Sequence, residues 1–181
     1  MVKRAIHATC LSLFVSALFI LSAYAAVLDD TFTGCNASVY VQPEAAVVYG
    51  TEVGRSLAAV SLITGIQFTE SATSEGADLV YAVGDTTVAG ASAVAYYMDG
   101  RVTLPPAWVK NYEGQKPRHV GNARWRVVLH ETLHWLGLGH DEWWGSVMYP
   151  YVTDLKPTLS DADLANMRLI AGRNGCINVS D

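Results

Sequence analysis

The chain has 181 residues, of which 51% are hydrophobic and 16% are charged, and its formal net charge is -5. This balance supports a packed core, excludes an intrinsically disordered chain and, at this length, favours a single domain. Because the sequence has no basic cluster and no run of like charge, we expect no nucleic-acid partner and no binding to anionic membranes.

The N-terminus has the pattern of a secretory signal peptide. Basic residues precede an apolar run at about residues 11–21, and Ala23-Tyr24-Ala25 supplies the small residues of a cleavage site. We therefore predict a signal peptide over residues 1–25, a mature domain over residues 26–181 and an extracellular location. An uncleaved membrane anchor is the alternative, which the short apolar run disfavours because a spanning helix needs about 20 residues.

The cysteines are consistent with secretion. Cleavage would remove Cys10 and leave Cys35 and Cys176 in an oxidising compartment. We predict a disulfide between these two residues, joining the start of the mature chain to its end. Two free thiols are the alternative.

The first half of the mature chain predicts one helix followed by short strands. Pro43 opens a helical pattern, whose apolar residues share one broad face until Gly65 stops it. The alternation at residues 66–68 predicts a short strand, and the apolar run at residues 77–83 predicts a mostly buried strand. Residues 91–98 predict a further strand.

A hairpin and two helices follow. Asp99-Gly100 predicts a tight turn into a return strand over residues 101–104. Asn122 precedes a second predicted helix of about fourteen residues with core-facing apolar positions. Ser160 and Asp163 resemble a capping box and predict a third helix, which runs through Ala171 and is closed by Gly172. The sum is an α+β domain with a small sheet and three helices.

The stretch HETLHWLGLGH at residues 130–140 holds three of the five histidines. On a helix, His130 and His134 lie one turn apart on one face, so both imidazoles can reach one metal ion. Glu131 lies about 100° around the helix axis. From that position its carboxylate can reach a metal-bound water and act as a general base, which suits it better than a role as ligand.

A catalytic zinc site needs one more protein ligand from downstream. Glu142 is the last glutamate and lies too close to come from a later helix, so His140 is the candidate. Gly137 or Gly139 can end the helix and turn the chain back. Three neutral histidines and a water would form an open zinc site. Histidines that bind no metal are the alternative, and we interpret the remaining mature histidine, His119, as a solvated loop residue.

HETLHWLGLGH followed by SVMYP resembles the metzincin clan of zinc peptidases and, within it, the matrixin family. ITGIQF, ADLVYAV and LSDADLANMRLIAG resemble matrixin catalytic domains in order and spacing, so the resemblance covers most of residues 40–172. It implies one domain with a small, twisted, mostly parallel sheet, an antiparallel edge strand and three helices. It also implies a secreted, monomeric zinc endopeptidase that hydrolyses peptide bonds of extracellular proteins.

The resemblance assigns the zinc ligands and the general base to residues of the motif: His130, His134, His140 and Glu131. It places Met148 as a hydrophobic floor beneath the metal and Tyr149-Pro150-Tyr151 at the wall of the substrate pocket. An extended protein or peptide substrate would lie antiparallel to an edge strand within residues 91–98. A zinc-containing module that binds proteins without cutting them is the alternative function, although Glu131 favours the enzyme.

Several features depart from the matrixin pattern. Asp141 follows the third histidine in place of a small hydroxyl residue, and we interpret it as a hydrogen-bonding residue that fixes the turn, with a solvated side chain as the alternative. No cysteine-switch propeptide is recognisable, and Cys35 as its substitute is less favoured than the disulfide. Calcium stays unassigned, because its candidate ligands are better explained as turn residues: Asp78, Asp85 and Asp99. We interpret Trp143 and Trp144 as core residues, with a substrate-contacting role as the alternative.

Overall fold

The computed structural model describes five parts of the chain: residues 32–88, 91–92, 95–106, 117–150 and 159–177. The predicted signal peptide and its cleavage site lie outside them. The elements, in chain order, are β1 (Asn36–Val41), α1 (Pro43–Thr64), β2 (Gln67–Glu70), β3 (Leu79–Val83), β4 (Thr87–Val88), β5 (Ala91–Ser92), β6 (Tyr96–Met98), β7 (Arg101–Leu104), α2 (Pro117–Leu136) and α3 (Asp161–Arg173).

The central element is a five-stranded sheet with the order β2-β1-β3-β7-β6. Neighbouring strands from β2 to β7 are parallel, and β6 pairs antiparallel with β7 at one edge. Strands β4 and β5 form a separate antiparallel pair. Within the described residues, the predicted α+β fold with three helices and a mostly parallel sheet is therefore confirmed.

Strand β1 was not predicted, although it lies between β2 and β3. Its first half is polar, and the burial of side chains alternates along it, with Ala37 and Val39 buried. Asp78 satisfies the polar groups of Ser38 in this half of the strand. Its Oδ2 accepts hydrogen bonds from the backbone N–H and the Oγ of Ser38, both at 2.7 Å. Asp78 thus has a structural role at the start of β3, where it bonds to the neighbouring strand β1.

Helix α1 matches its predicted bounds. It starts at Pro43, and Gly65 ends it with a left-handed backbone at φ 73° and an N–H that donates to the Ser61 carbonyl. By length and composition α1 is the one described helix that could cross a membrane. Its buried Glu52, however, forms an ion pair with Arg124 of α2, Oε1 to Nε 3.4 Å, so α1 packs as a helix of the folded domain.

Substitution by alanine is expected to have opposite effects on stability at two glycines, Gly65 and Gly54. Gly65→Ala is expected to destabilise the protein by about 1 to 3 kcal/mol, because its φ is positive. Its added Cβ would also lie 2.8 Å from the Cys176 carbonyl oxygen. Gly54→Ala in the exposed middle of α1, where a Cβ meets nothing within 4 Å, is expected to stabilise by about 0.5 to 1 kcal/mol. Urea unfolding of both variants checks this; equal effects would contradict it.

The prediction of one strand over residues 91–98 is wrong. Ala91–Ser92 forms β5 in the small pair, and only Tyr96–Met98 joins the main sheet as β6. The chain therefore changes strand partner between β5 and β6, which a continuous apolar pattern does not reveal. The predicted hairpin turn is confirmed, since Asp99 at φ 48° and Gly100 at φ 77° connect β6 to β7.

The other two helices differ from prediction at their ends. Helix α2 starts at Pro117 instead of after Asn122, so His119 lies in a helix and not in the predicted loop; proline is well suited to a first helical turn. The capping box of α3 is confirmed, with the Ser160 and Asp163 side chains each bonded to the backbone of the other. The predicted stop at Gly172 is wrong, because the helix continues to Arg173.

The predicted disulfide between Cys35 and Cys176 is present. It joins the residue before β1 to the segment after α3, beside the turn at Gly65. Its presence is compatible with an oxidising compartment. It also excludes Cys35 as a free thiol that could substitute for a cysteine switch.

Candidate metal centre

Helix α2 carries His130 and His134, and it ends before the third histidine, His140. Gly137 adopts φ 108°, and the N–H of Leu138 donates to the Leu133 carbonyl while that of Gly137 donates to the His134 carbonyl. This is a Schellman motif, in which glycine ends the helix by taking a left-handed conformation. Of the two candidate glycines, Gly137 therefore makes the turn that brings His140 back towards the helix.

The three imidazoles meet at their Nε2 atoms. His134 Nε2 lies 3.0 Å from His130 Nε2 and 3.1 Å from His140 Nε2. One ligand atom from each of the three residues lies within 4.8 Å of the others. Nitrogens bound tetrahedrally to zinc at 2.0–2.1 Å are separated by about 3.3 Å. The observed spacing is therefore compatible with a single metal ion shared by three histidines.

The opposite ring nitrogens fix the tautomer of two of these histidines. His130 Nδ1 lies 2.8 Å from the Val147 carbonyl oxygen, and His134 Nδ1 lies 2.7 Å from the Leu138 carbonyl oxygen. A carbonyl oxygen can only accept a hydrogen bond, so both Nδ1 atoms carry the proton. The Nε2 lone pairs are then free to bind a metal, as a first coordination shell requires.

The environment also favours the neutral form of these histidines. Burial lowers the pKa of His130 to about 3, and the nearby His134 contributes in the same direction. Burial likewise lowers the pKa values of His134 and His140. Since a metal binds the neutral imidazole, the donor set is chemically suited to a divalent ion and is compatible with zinc.

Glu131 lies next to this cluster but in a different environment. Its side chain is only 6% exposed, and burial raises the pKa of its carboxyl to about 8, opposed by a hydrogen bond from the backbone of Tyr97 in β6. A nearby cation favours the ionised form of a carboxyl group. A metal ion at the three histidines would therefore favour the ionised form of Glu131, which is the form that can act as a base.

The segment after His140 is folded tightly. The Asp141 carboxylate accepts a hydrogen bond from the Trp143 N–H at 2.8 Å, and the Asp141 N–H donates to the Met148 carbonyl at 3.0 Å. The interpretation of Asp141 as a residue that fixes the turn is therefore confirmed. Met148 is fully buried, whereas Tyr149 is half-buried and Pro150 is exposed.

Trp143 and Trp144 are not core residues. Their side chains are 52% and 58% exposed, and their ring centroids are 6.4 Å apart. The prediction that they fill the core is therefore wrong. The tight turn at Asp141 carries both rings to the surface, and Tyr151, the last residue of the predicted pocket wall, lies outside the described residues.

Comparisons with known proteins do not classify the chain. No family model matches the sequence, and a search of curated proteins finds no relative. The three histidines are the one group of potential metal ligands that converges within the described residues. The function is therefore inferred from the geometry of the site and from the sequence motif.

One part of the site was missed by the sequence analysis. Arg126 of α2, one helical turn before His130, is buried and donates to the Ser146 carbonyl at 2.6 Å. Asp163, predicted only as a helix cap, also accepts a hydrogen bond from the Ser146 hydroxyl at 2.7 Å. A charged residue on the apolar face of α2 was the available signal, since a buried arginine requires partners.

Proposed function

We propose that the protein is a secreted zinc-dependent endopeptidase, similar to the matrixins of the metzincin clan. The observation that carries this proposal is the convergence of three Nε2 atoms, with the glutamate next to His130 in the sequence buried in the same helix. A structural zinc site uses four protein ligands, whereas three leave a position open for chemistry. The disulfide between Cys35 and Cys176 and the signal-like N-terminus support an extracellular location.

The proposed reaction is hydrolysis of a peptide bond by water. His130, His134 and His140 would hold the zinc ion, which would supply a Lewis acid and lower the pKa of water at the open position towards about 7. Glu131 accepts the proton of the attacking water and then donates it to the departing amine. Burial raises the pKa of this carboxyl and a nearby cation lowers it, and between these opposing effects the group can accept a proton and then release it.

The sheet edge supports an extended peptide as the substrate. Within the described sheet, β6 is the last strand and pairs on one side only, with β7. The backbone of Tyr97 in this strand bonds to Glu131, so the edge strand and the general base are in contact. A peptide that adds to this edge by backbone hydrogen bonds would therefore lie close to the proposed base.

Hydrolysis of casein by the purified mature protein tests the proposal. We expect cleavage that 1,10-phenanthroline abolishes and that added zinc restores, because a chelator removes the ion that activates water. Cleavage that persists after complete removal of zinc would contradict the mechanism. Zinc-loaded protein that cleaves neither casein nor a random peptide library would instead support the non-catalytic binding module.

A further inference from the structure

The orientation of His130 depends on one carbonyl group. Its Nδ1 donates to the Val147 oxygen at 2.8 Å, and Val147 lies in the segment 146–148 that follows the histidine cluster. This segment is not part of a helix or strand, so its backbone conformation depends on the groups that hold it. The residues that hold this segment therefore influence the orientation of the His130 ring.

Two side chains of opposite charge hold the peptide group between Ser146 and Val147. Arg126 of α2 donates from its guanidinium to the Ser146 carbonyl at 2.6 Å. The Val147 N–H, at the other end of that same peptide group, donates to Asp163 Oδ2 at 3.1 Å. Both ends of one peptide plane are thus fixed by charge-assisted hydrogen bonds, which are stronger than neutral ones.

The next peptide group is held through the Ser146 hydroxyl. This hydroxyl donates to Asp163 Oδ1 at 2.7 Å and accepts from the Met148 N–H at 2.9 Å. The Met148 N–H and the Val147 carbonyl belong to the same peptide group. A continuous path therefore leads from Asp163, through the serine hydroxyl, to the carbonyl that accepts the His130 proton.

The three side chains that hold segment 146–148 are all buried. Arg126 is 4% exposed and Asp163 is 2% exposed, while Ser146 is completely buried. Water cannot replace a lost partner there, so removing one member leaves another polar group unsatisfied. Arg126 and His130 also lie one turn apart on α2, so the helix holds the segment at both its Ser146 and its Val147 carbonyl groups.

We propose that Arg126 and Ser146, anchored by Asp163, are positioning residues that set the tautomer and ring orientation of His130 for metal binding. The inference deepens the proposed metalloenzyme function and rests on it for its consequence. Removing a residue that orients a histidine ligand typically lowers metal affinity by about 10- to 100-fold. Neither Arg126 nor Ser146 is among the three proposed metal ligands.

Two variants test the proposal without altering the α3 capping residue Asp163. Arg126→Met keeps the apolar stem and removes the donor, and Ser146→Ala removes the hydroxyl alone. Tyr81→Phe is the matched control, because it removes a buried 2.7 Å hydrogen bond to Thr132 of the same helix without touching segment 146–148. Cobalt(II) affinity of the full mature protein is measured from its visible absorption, and the tautomer of His130 from ¹⁵N chemical shifts of the metal-free protein.

We expect both variants to bind cobalt(II) about 10- to 100-fold more weakly and to lose the pure Nδ1–H tautomer at His130. Tyr81→Phe should keep wild-type affinity and tautomer even where its unfolding midpoint falls. Wild-type affinity and tautomer in both variants would overturn the positioning role while leaving the proposed function intact. A wild-type protein that binds no metal would overturn both, and the tautomer measurement on metal-free protein separates these cases.

Discussion

Glu131→Gln is expected to lower kcat/KM for a peptide substrate by about 10²- to 10⁴-fold, the usual contribution of general acid–base catalysis. Glutamine has nearly the shape of glutamate but cannot accept a proton from water. The buried setting of the side chain should be preserved, because an amide oxygen can still accept the hydrogen bond from the Tyr97 backbone. We therefore expect full zinc occupancy in a folded but inactive protein.

Glu142→Gln is the matched control for this variant. It makes the same chemical change at an exposed glutamate two residues after His140, and it should retain wild-type kcat/KM. Steady-state kinetics on a fluorogenic peptide, with zinc content measured on the same samples, compares the two. Wild-type activity in Glu131→Gln would show that another group moves the proton.

Removing the disulfide is expected to have the largest effect on stability. The double variant Cys35→Ala/Cys176→Ala should lower the free energy of unfolding by about 2 to 5 kcal/mol. The bridge closes a loop with a sequence separation of 141 residues, so its loss frees nearly the whole domain in the unfolded chain. At this chain length, each kcal/mol corresponds to about 2 to 4 °C in melting temperature.

Urea unfolding of the oxidised wild type, the reduced wild type and the double variant measures this effect. The reduced wild type and the double variant should unfold at similar, lower urea concentrations, because both lack the covalent link. Zinc affinity at low denaturant should change little, since the bridge lies beside Gly65 and not in the histidine cluster. Equal midpoints for the oxidised protein and the double variant would contradict this account of stability.

Local sequence patterns predicted the features that depend on neighbours in the chain. The spacing of His130 and His134 on one helical face, the glycine stop after them and the capping box at Ser160 all follow from residues a few positions apart. Strand β1 was missed because its first half is polar and becomes favourable only when Asp78 pairs with it. Its central place in the sheet depends on contacts across the fold.

The errors near the site have a similar cause. Trp143 and Trp144 were expected in the core because large apolar rings are usually buried. A short hydrogen-bonded turn at Asp141 instead points them outward. The contacts of Arg126 and Asp163 with Ser146 span 20 and 17 residues of sequence, so they emerge only once the chain is folded.

Zinc-edge X-ray absorption spectroscopy of the purified mature protein measures the identity and the ligands of the metal ion. We expect about one zinc per chain, with three imidazole nitrogens and one oxygen at about 2.0 to 2.1 Å. The variant His134→Ala should bind no zinc ion, because it lacks one of the three ligands. A protein without stoichiometric zinc, or a zinc ion bound through sulfur at about 2.3 Å, would contradict the site and the chemistry derived from it.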